Sequence, residues 1–485
     1  MNRSRRDFLR RAFTATALLG AGHIASAQSA EHKHQGQETT GEGRTEAAPP
    51  LGRSDGTAFL PVETPDIPKL PWRIENGVKV FHLVAEVVKR EFLPGKVCDV
   101  WGYNGSMPGP TIEVNQGDRV RIIVENRLPE PTSVHWHGFE IPIEMDGGPG
   151  ISQDAIPPGG RFVYEFTLHQ HGTFFYHSHM AMQEMMGMLG LFILHPQAPY
   201  QPRVDKDFGL IFQEWALLPN NTVPNSLSME FNWLTINGKA GPATTPLIVR
   251  LGDRVRIRMV NLGMDHHPIH LHGNTFYVTG SEAGRVPEVA WAPANTVLLG
   301  VAQARDVEFE AKYPGDWMLH CHMPHHMMNQ MVSMVGPMSH GGQGMHMGMG
   351  MQEGMGMLRR GHALAEENGP SVGRAIGLGT EFEKATTNLP LQQQHRMEHE
   401  MPSGVKPGKA QMVPGYPQDM FVMMDDEVTK PETYGLRRTW SGGMMGMMTL
   451  VRVLEPNLYD KIRSLQARAA QEKPTHQAST HNHQR

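Results

Sequence analysis

A chain of 485 residues with 44 basic and 49 acidic side chains has a formal net charge of −5, and it holds 34 methionines, 27 histidines and two cysteines. That near balance, with no long basic run, excludes nucleic acid as the partner the chain is built for. No apolar run beyond the N-terminus reaches the roughly 20 residues of a membrane span, and sulfur together with imidazole in such abundance points to copper before other metals.

In chain order, residues 1–27 read MNRSRRDFLRRAFTATALLGAGHIASA: an arginine-rich start, an apolar stretch and a small-residue site at Ala25, Ser26 and Ala27. This is an export signal rather than part of a fold. Arg5 and Arg6 form a twin-arginine signature, so the expected destination is the periplasm or another extracytoplasmic space, with a soluble mature chain. Residues 28–70 are expected to be a disordered linker, the first part being dominated by Glu, Gln, Gly, Thr and His. From about Phe81 to Pro337, short apolar or alternating runs are separated by Gly and Pro turns without a long helical period, which predicts an all-β chain of sandwich domains at 71–200 and 201–337. Residues 338–400 are a Met/Gly/His-rich linker, and 401–485 a C-terminal extension expected to fold back on the core or on a neighbouring subunit.

The two sandwich domains are copies of one another. TIEVNQGDRVRIIVEN from Thr111 matches PLIVRLGDRVRIRMVN from Pro246, and HWHG from His135 matches HLHG from His270. GTFFYHSHMAMQEMMGM from Gly172 lies on GDWMLHCHMPHHMMNQM from Gly315. Paired histidines are kept in both copies. Ser178 falls on Cys321, Gln183 on His326, Met188 on Met331 and Thr132 on His267, so the first copy keeps only the methionine.

Side chains alternate across a strand, so in the run His320-Cys321-His322 the thiol faces away from the two imidazoles and serves a different centre a few covalent bonds from theirs. His267, Cys321, His326 and Met331 supply two imidazoles, a thiolate and a thioether, the ligand set of a blue copper site. The remaining pairs, His135 with His137, His177 with His179, His270 with His272 and His320 with His322, supply eight imidazoles for a multinuclear cluster. A disulfide between Cys98 and Cys321 is the competing reading; the residues around Cys321 favour a metal-bound thiolate, leaving Cys98 as a small buried strand residue.

These four motifs, in order and with these internal spacings, resemble those of the multicopper oxidases: HxHG at His135, HxH at His177, HPxHLHG at His267 and HCHxxxHxxxxM from His320 to Met331. The resemblance implies two tandem cupredoxin-like Greek-key β-sandwiches and about four copper ions. By resemblance, His267, Cys321, His326 and Met331 hold the type 1 copper, and His135 and His270 the type 2 copper. The type 3 pair falls to His137, His177, His179, His272, His320 and His322. The implied reaction is one-electron oxidation of a reductant coupled to reduction of dioxygen to water. The stretch between His179 and His267 is too short for a middle domain, which places the resemblance with the two-domain, small-laccase branch. That branch forms homotrimers in which each cluster lies between the first domain of one chain and the second domain of its neighbour. Asp146 matches the family's proton-relay acid, against a reading as a turn aspartate before two glycines. Met327 stands where many relatives carry an acid after the type 1 histidine.

His325 and His266, beside two of these ligands, read as loop residues. His169 and His171 form a spare His-x-His pair that is either a further copper site or ordinary surface. Met180, Met182, Met185 and Met186 read as packing, with metal binding as the alternative. The tract GMHMGMGMQEGMGM from Gly344 is either a cuprous-ion carrier or a plain linker. The reductant is left open between Cu(I) and a phenolic molecule, methionine abundance favouring Cu(I) and copper tolerance. A two-domain copper nitrite reductase and a non-enzymatic periplasmic copper-binding protein are the other functions. The first needs a type 1 site in the first domain, and the second needs no oxygen-reducing cluster.

Overall fold

Along Arg119–Asn126 the side chains alternate between solvent and interior, as a strand with one face on a core must. The computed structural model describes residues 59–180, 182–217, 221–229, 231–327 and 424–472, and these belong to one unit, Ala48–Arg485. The export signal, the tract 338–400, Met331 and the C-terminal THQASTHNHQR lie outside the described residues.

The first sandwich pairs Trp72–Glu75, Val78–Leu93, Arg119–Asn126 and Arg161–Thr167 in one sheet, with Lys96–Tyr103 also on Val78–Leu93. Its second sheet has the order Gly109–Asn115, Leu189–His195, Gly172–His177, His135–His137. Phe81, Ile122 and Tyr164 from one sheet meet Val114, Trp136 and Phe192 from the other in a single buried cluster. The second sandwich repeats the plan: a seven-stranded sheet containing Lys206–Trp215, Arg254–Asn261 and Ala304–Glu310 covers a five-stranded sheet, with Phe212, Ile257 and Phe309 against Ile269, Leu319 and Cys321. The all-β expectation holds. Residues 59–70 depart from the disordered linker that composition predicts: Val62, Ile67 and Leu70 are buried, because this segment pairs with Thr111 and Phe208 across both sandwiches.

The C-terminal part, expected to fold back on the core or on a neighbouring subunit, pairs within the core itself. Met448–Leu454 lies inside the five-stranded sheet, parallel to Leu247–Arg250 and antiparallel to Gly315–Cys321, with all seven residues buried. Leu189–His195 holds the same place in the first sandwich, parallel to Gly109–Asn115 and antiparallel to Gly172–His177. Each large apolar side chain buried there contributes roughly 1.5–3 kcal/mol. Residues 328–423 are therefore inserted within the second sandwich rather than following it. Pro456 opens the helix Pro456–Glu472, whose Ile462 packs on Ile248 and Leu454. Among the described residues no helix is long and apolar enough to cross a membrane.

The sandwiches meet through Phe175, Leu191 and Ile193 on one side and Ile211, Val260 and Leu262 on the other. Beside that apolar contact, the buried Arg258 guanidinium donates to both Asp207 oxygens at 2.8 and 2.9 Å and to the Thr173 hydroxyl at 2.8 Å, while that hydroxyl donates to Asp306 at 2.6 Å.

Candidate metal centre

His267 opens the strand His267–Leu271 and Cys321 closes the neighbouring Gly315–Cys321, with Ile269 directly opposite Cys321. His326 follows in the short helical turn Pro324–Met327. The three side chains converge in the interior: the two Nδ1 atoms are 3.1 Å apart, and Cys321 Sγ lies 3.8 Å from His267 Nδ1 and 3.5 Å from His326 Nδ1. Burial pushes the Cys321 thiol up to about 12. It also disfavours protonation of His326, which with His267 alongside falls to about 4. Two imidazoles and a thiol that ionises only against a cation form a donor set that fits copper.

Sequence spacing does not reveal the residue that orients this centre. Glu214, near the end of Lys206–Trp215 and fully shielded from solvent, accepts from His267 Nε2 at 3.0 Å and from the Asp265 N–H at 2.7 Å. This fixes the proton on Nε2 and leaves Nδ1 free as a ligand. Gly263 allows the approach, since a Cβ there would stand 2.0 Å from the Glu214 carboxylate. Nothing in the local sequence marks Glu214, which comes from a strand of the opposite sheet.

The first copy carries other side chains at the places of His267, Cys321 and His326. Thr132, Ser178 and Gln183 occupy the corresponding positions and hydrogen-bond one another: Thr132 Oγ1 donates to Gln183 Oε1 at 2.8 Å, Ser178 Oγ donates to the same oxygen at 2.6 Å, and the two hydroxyls are 3.2 Å apart. A self-satisfied polar triad fills the space with no donor left over for a metal.

The paired histidines form two sets. His135, His137 and His177 have donor atoms within 4.8 Å of one another, and the His179 ring lies 5.4 Å from His135. In the second set His272 Nε2 lies 3.0 Å from His320 Nε2, and the His270 ring contacts those of His272, His320 and His322. The orientation is duplicated as well. His135 Nδ1 is 2.7 Å from the Asp146 carbonyl and His270 Nδ1 is 2.7 Å from the Asn295 carbonyl, while His177 and His320 turn Nδ1 to the carbonyls of Ser178 and Cys321. In all four the carbonyl holds the Nδ1 proton and presents Nε2. Burial lowers His135, His272 and His320, and takes His137 to about 4, favouring neutral rings. His179 and His322 are exposed. Among the described residues no ring contact joins a histidine of one set to one of the other.

Asp146 therefore touches the site through its backbone, and its carboxylate is 3.4 Å from the same His135 nitrogen. Gly147 makes the turn possible: its φ is +88° and a Cβ would fall 1.9 Å from the Val134 carbonyl. Glu184, which spacing also misses, lies 3.2 Å from His177 Nδ1. Burial opposes charging His177, but this carboxylate outweighs it and raises the imidazole. Of the spare residues, His171 bonds the Tyr200 hydroxyl at 2.7 Å and His266 accepts from the Val301 N–H. Met182, Met185 and Met186 are half-buried in the loop after His179. Cys98 and Cys321 are both free, which removes the disulfide reading, and burial pushes the Cys98 thiol up to about 11.

Two family models, each described as multicopper oxidase, match residues 85–199 and 217–337. A copper resistance protein A homolog of Pseudomonas syringae pv. tomato is 42% identical over 113 residues, 23% of this chain and 19% of that protein. Laccase-2 of Botryotinia fuckeliana is 32% identical over 237 residues, 44% of this chain and 40% of its own. Among solved structures, the blue copper oxidase from Nitrosomonas europaea aligns with a TM-score of 0.49 and 31% identity over 52% of this chain and 81% of that one. The chain thus spans about a fifth of the bacterial relative's length and two fifths of the fungal one's.

Proposed function

Because the chain belongs to the multicopper oxidase family, we propose that it is an exported copper oxidase that couples one-electron oxidation of Cu(I) or a phenolic molecule to the reduction of dioxygen to water. The observation that carries this reading is the Cys321 bridge. Its thiol faces the buried His267 and His326, while its neighbours His320 and His322 stand among the second histidine set. Copper, about four ions per active unit, would supply single-electron acceptance at the Cys321 centre and dioxygen reduction at the histidine sets.

The protein's own groups do the rest. His267 presents Nδ1 to the centre because Glu214 holds its far side, and His326 Nδ1 lies 3.1 Å from that nitrogen. Six of the eight remaining histidines take orientation from a neighbouring carbonyl or imidazole before any metal arrives. Reducing dioxygen to water consumes protons, and Asp146 and Glu184, each within 3.4 Å of a histidine nitrogen, are placed to pass them. The separation of the histidines into two sets, each reaching solvent, supports assembly as a homotrimer that brings the first set of one subunit to the second set of the next.

The names of the bacterial relatives, together with the methionine-rich tract, favour Cu(I) as reductant and copper tolerance as the role. Oxygen uptake with Cu(I) and with dimethoxyphenol, for the full chain and for a chain lacking residues 338–357, tests this. Faster turnover of Cu(I) that falls when the tract is removed is the expected result. One copper per chain with no oxygen uptake would refute the oxidase, and unchanged Cu(I) oxidation without the tract would refute its role.

A further inference from the structure

His267, Cys321 and His326 provide three strong donors, and the fourth position of such a centre is held by a weak, long thioether. Spacing within the second copy assigns that position to Met331. The backbone of the first copy identifies it differently. There Met188 stands just before the strand Leu189–His195, its carbonyl accepting from the Ser178 N–H at 2.9 Å and its N–H donating to the Gln183 carbonyl at 3.2 Å.

Both bonds recur in the second copy, and the residue making them is Met447. The Cys321 N–H donates to the Met447 carbonyl at 3.0 Å, and the Met447 N–H donates to the His326 carbonyl at 2.8 Å. Strand register agrees, with Leu189 opposite His177 and Met448 opposite His320. Both strands are entered through Met-Gly-Met, Met186 to Met188 and Met445 to Met447, with the glycine at positive φ. Met188 and Met447 are both completely buried, and Met447 shares its cluster with Cys321, Ile269 and Leu319. At this position the backbone N–H donates to one partner and the carbonyl accepts from another, so the place beside the donor triad is filled while Met448–Leu454 occupies the sheet.

We propose that Met447, rather than Met331, is the axial thioether of this centre, an inference that rests on reading the centre as blue copper. The ligand set is then closed from beyond the inserted residues 328–423, and its last member is reached only when the C-terminal strand has entered the sheet.

Full-length M447L, M447Q and M331L, compared with the unmutated protein by copper content, blue absorption, electron paramagnetic resonance and equilibration with a one-electron mediator, test the assignment. Losing the thioether removes a fourth donor, and the oxidised ion, which takes the larger coordination number, loses more by it than Cu(I) does. M447L is therefore expected to retain copper, shift the blue band and raise the equilibrium constant for reduction roughly tenfold, or about 59 mV for one electron. M447Q, which offers a weak oxygen donor and fills the same space, is expected to keep the copper with altered hyperfine splitting, so the test survives poor folding of M447L. M331L is expected to match the unmutated protein. A shift in M331L, or Met447 variants indistinguishable from the unmutated protein, would overturn the assignment. Absence of a blue band from the unmutated protein would instead sink the blue-copper reading beneath it.

Discussion

Replacing Glu214 by glutamine keeps the size of the side chain but turns one of its two acceptors into a donor. The carboxylate uses both oxygens: one accepts from the N–H groups of Met264 and Asp265, the other from His267 Nε2 at 3.0 Å. A glutamine oxygen can keep the backbone pair, which leaves its NH2 pointing at His267. Two donors cannot share that contact, so His267 is driven to the tautomer with its proton on Nδ1, the atom 3.8 Å from Cys321 Sγ. That nitrogen then cannot ligate. Recovering the working tautomer forfeits a bond to a charged acceptor, roughly 1.5–3 kcal/mol. At about 1.4 kcal/mol per decade this is a roughly 10–100-fold loss of copper affinity, the range seen when such supporting partners are removed. Competitive titration of the apo-protein with a copper chelator, followed at the blue band, measures the loss, and the unfolding midpoint of the apo-protein checks the fold. An affinity within about twofold of the unmutated protein would refute the tautomer argument.

Arg258→Met should cost roughly 3–5 kcal/mol in urea unfolding, because Asp207 loses a buried bidentate partner and the contact between the sandwiches loses its bond to Thr173; a cost under about 1 kcal/mol would show the network to be dispensable. Burial works to raise Glu113, but the hydrogen bond from His195 and the charge of Lys69 overcome it and hold the carboxyl at about 2. Its folded value lies below its unfolded one, so the stability it adds, roughly 3 kcal/mol, is present above about pH 4.5 and is lost as pH falls towards about 2. Unfolding of the apo-protein across that window should show a steeper slope for the unmutated protein than for Glu113→Gln, and equal slopes would refute it. In the first sandwich, the triple change T132H, S178C and Q183H should create a second blue centre beside Met188. Copper per chain should rise by one ion and the blue absorbance about double; no added copper would show that the replaced ligands are not the only lost feature.

Much of this was legible without coordinates. The His-x-His pairs, the thiol between two imidazoles and the internal duplication depend on residue type and on spacing within a strand, and the period of two in an extended chain places Cys321 on the opposite face from its neighbours whatever surrounds it. Glu214 was not legible, because it reaches His267 from another sheet and no local spacing records that meeting. Nor does the repeat reveal that Arg121 remains partly exposed while Arg256, its counterpart in a nearly identical strand, is buried against Asp207 and Glu308. The second copy packs that face on the first, and the first has no such cover. The place of Met447 follows the same rule. Sequence spacing ties Met331 to His326 because it measures distance along the chain, whereas hydrogen-bonded pairing brings Met447 next to Cys321 from far along it. Residue chemistry thus determined a donor set that fits copper, and strand pairing decided that Met447, far along the chain, stands next to Cys321.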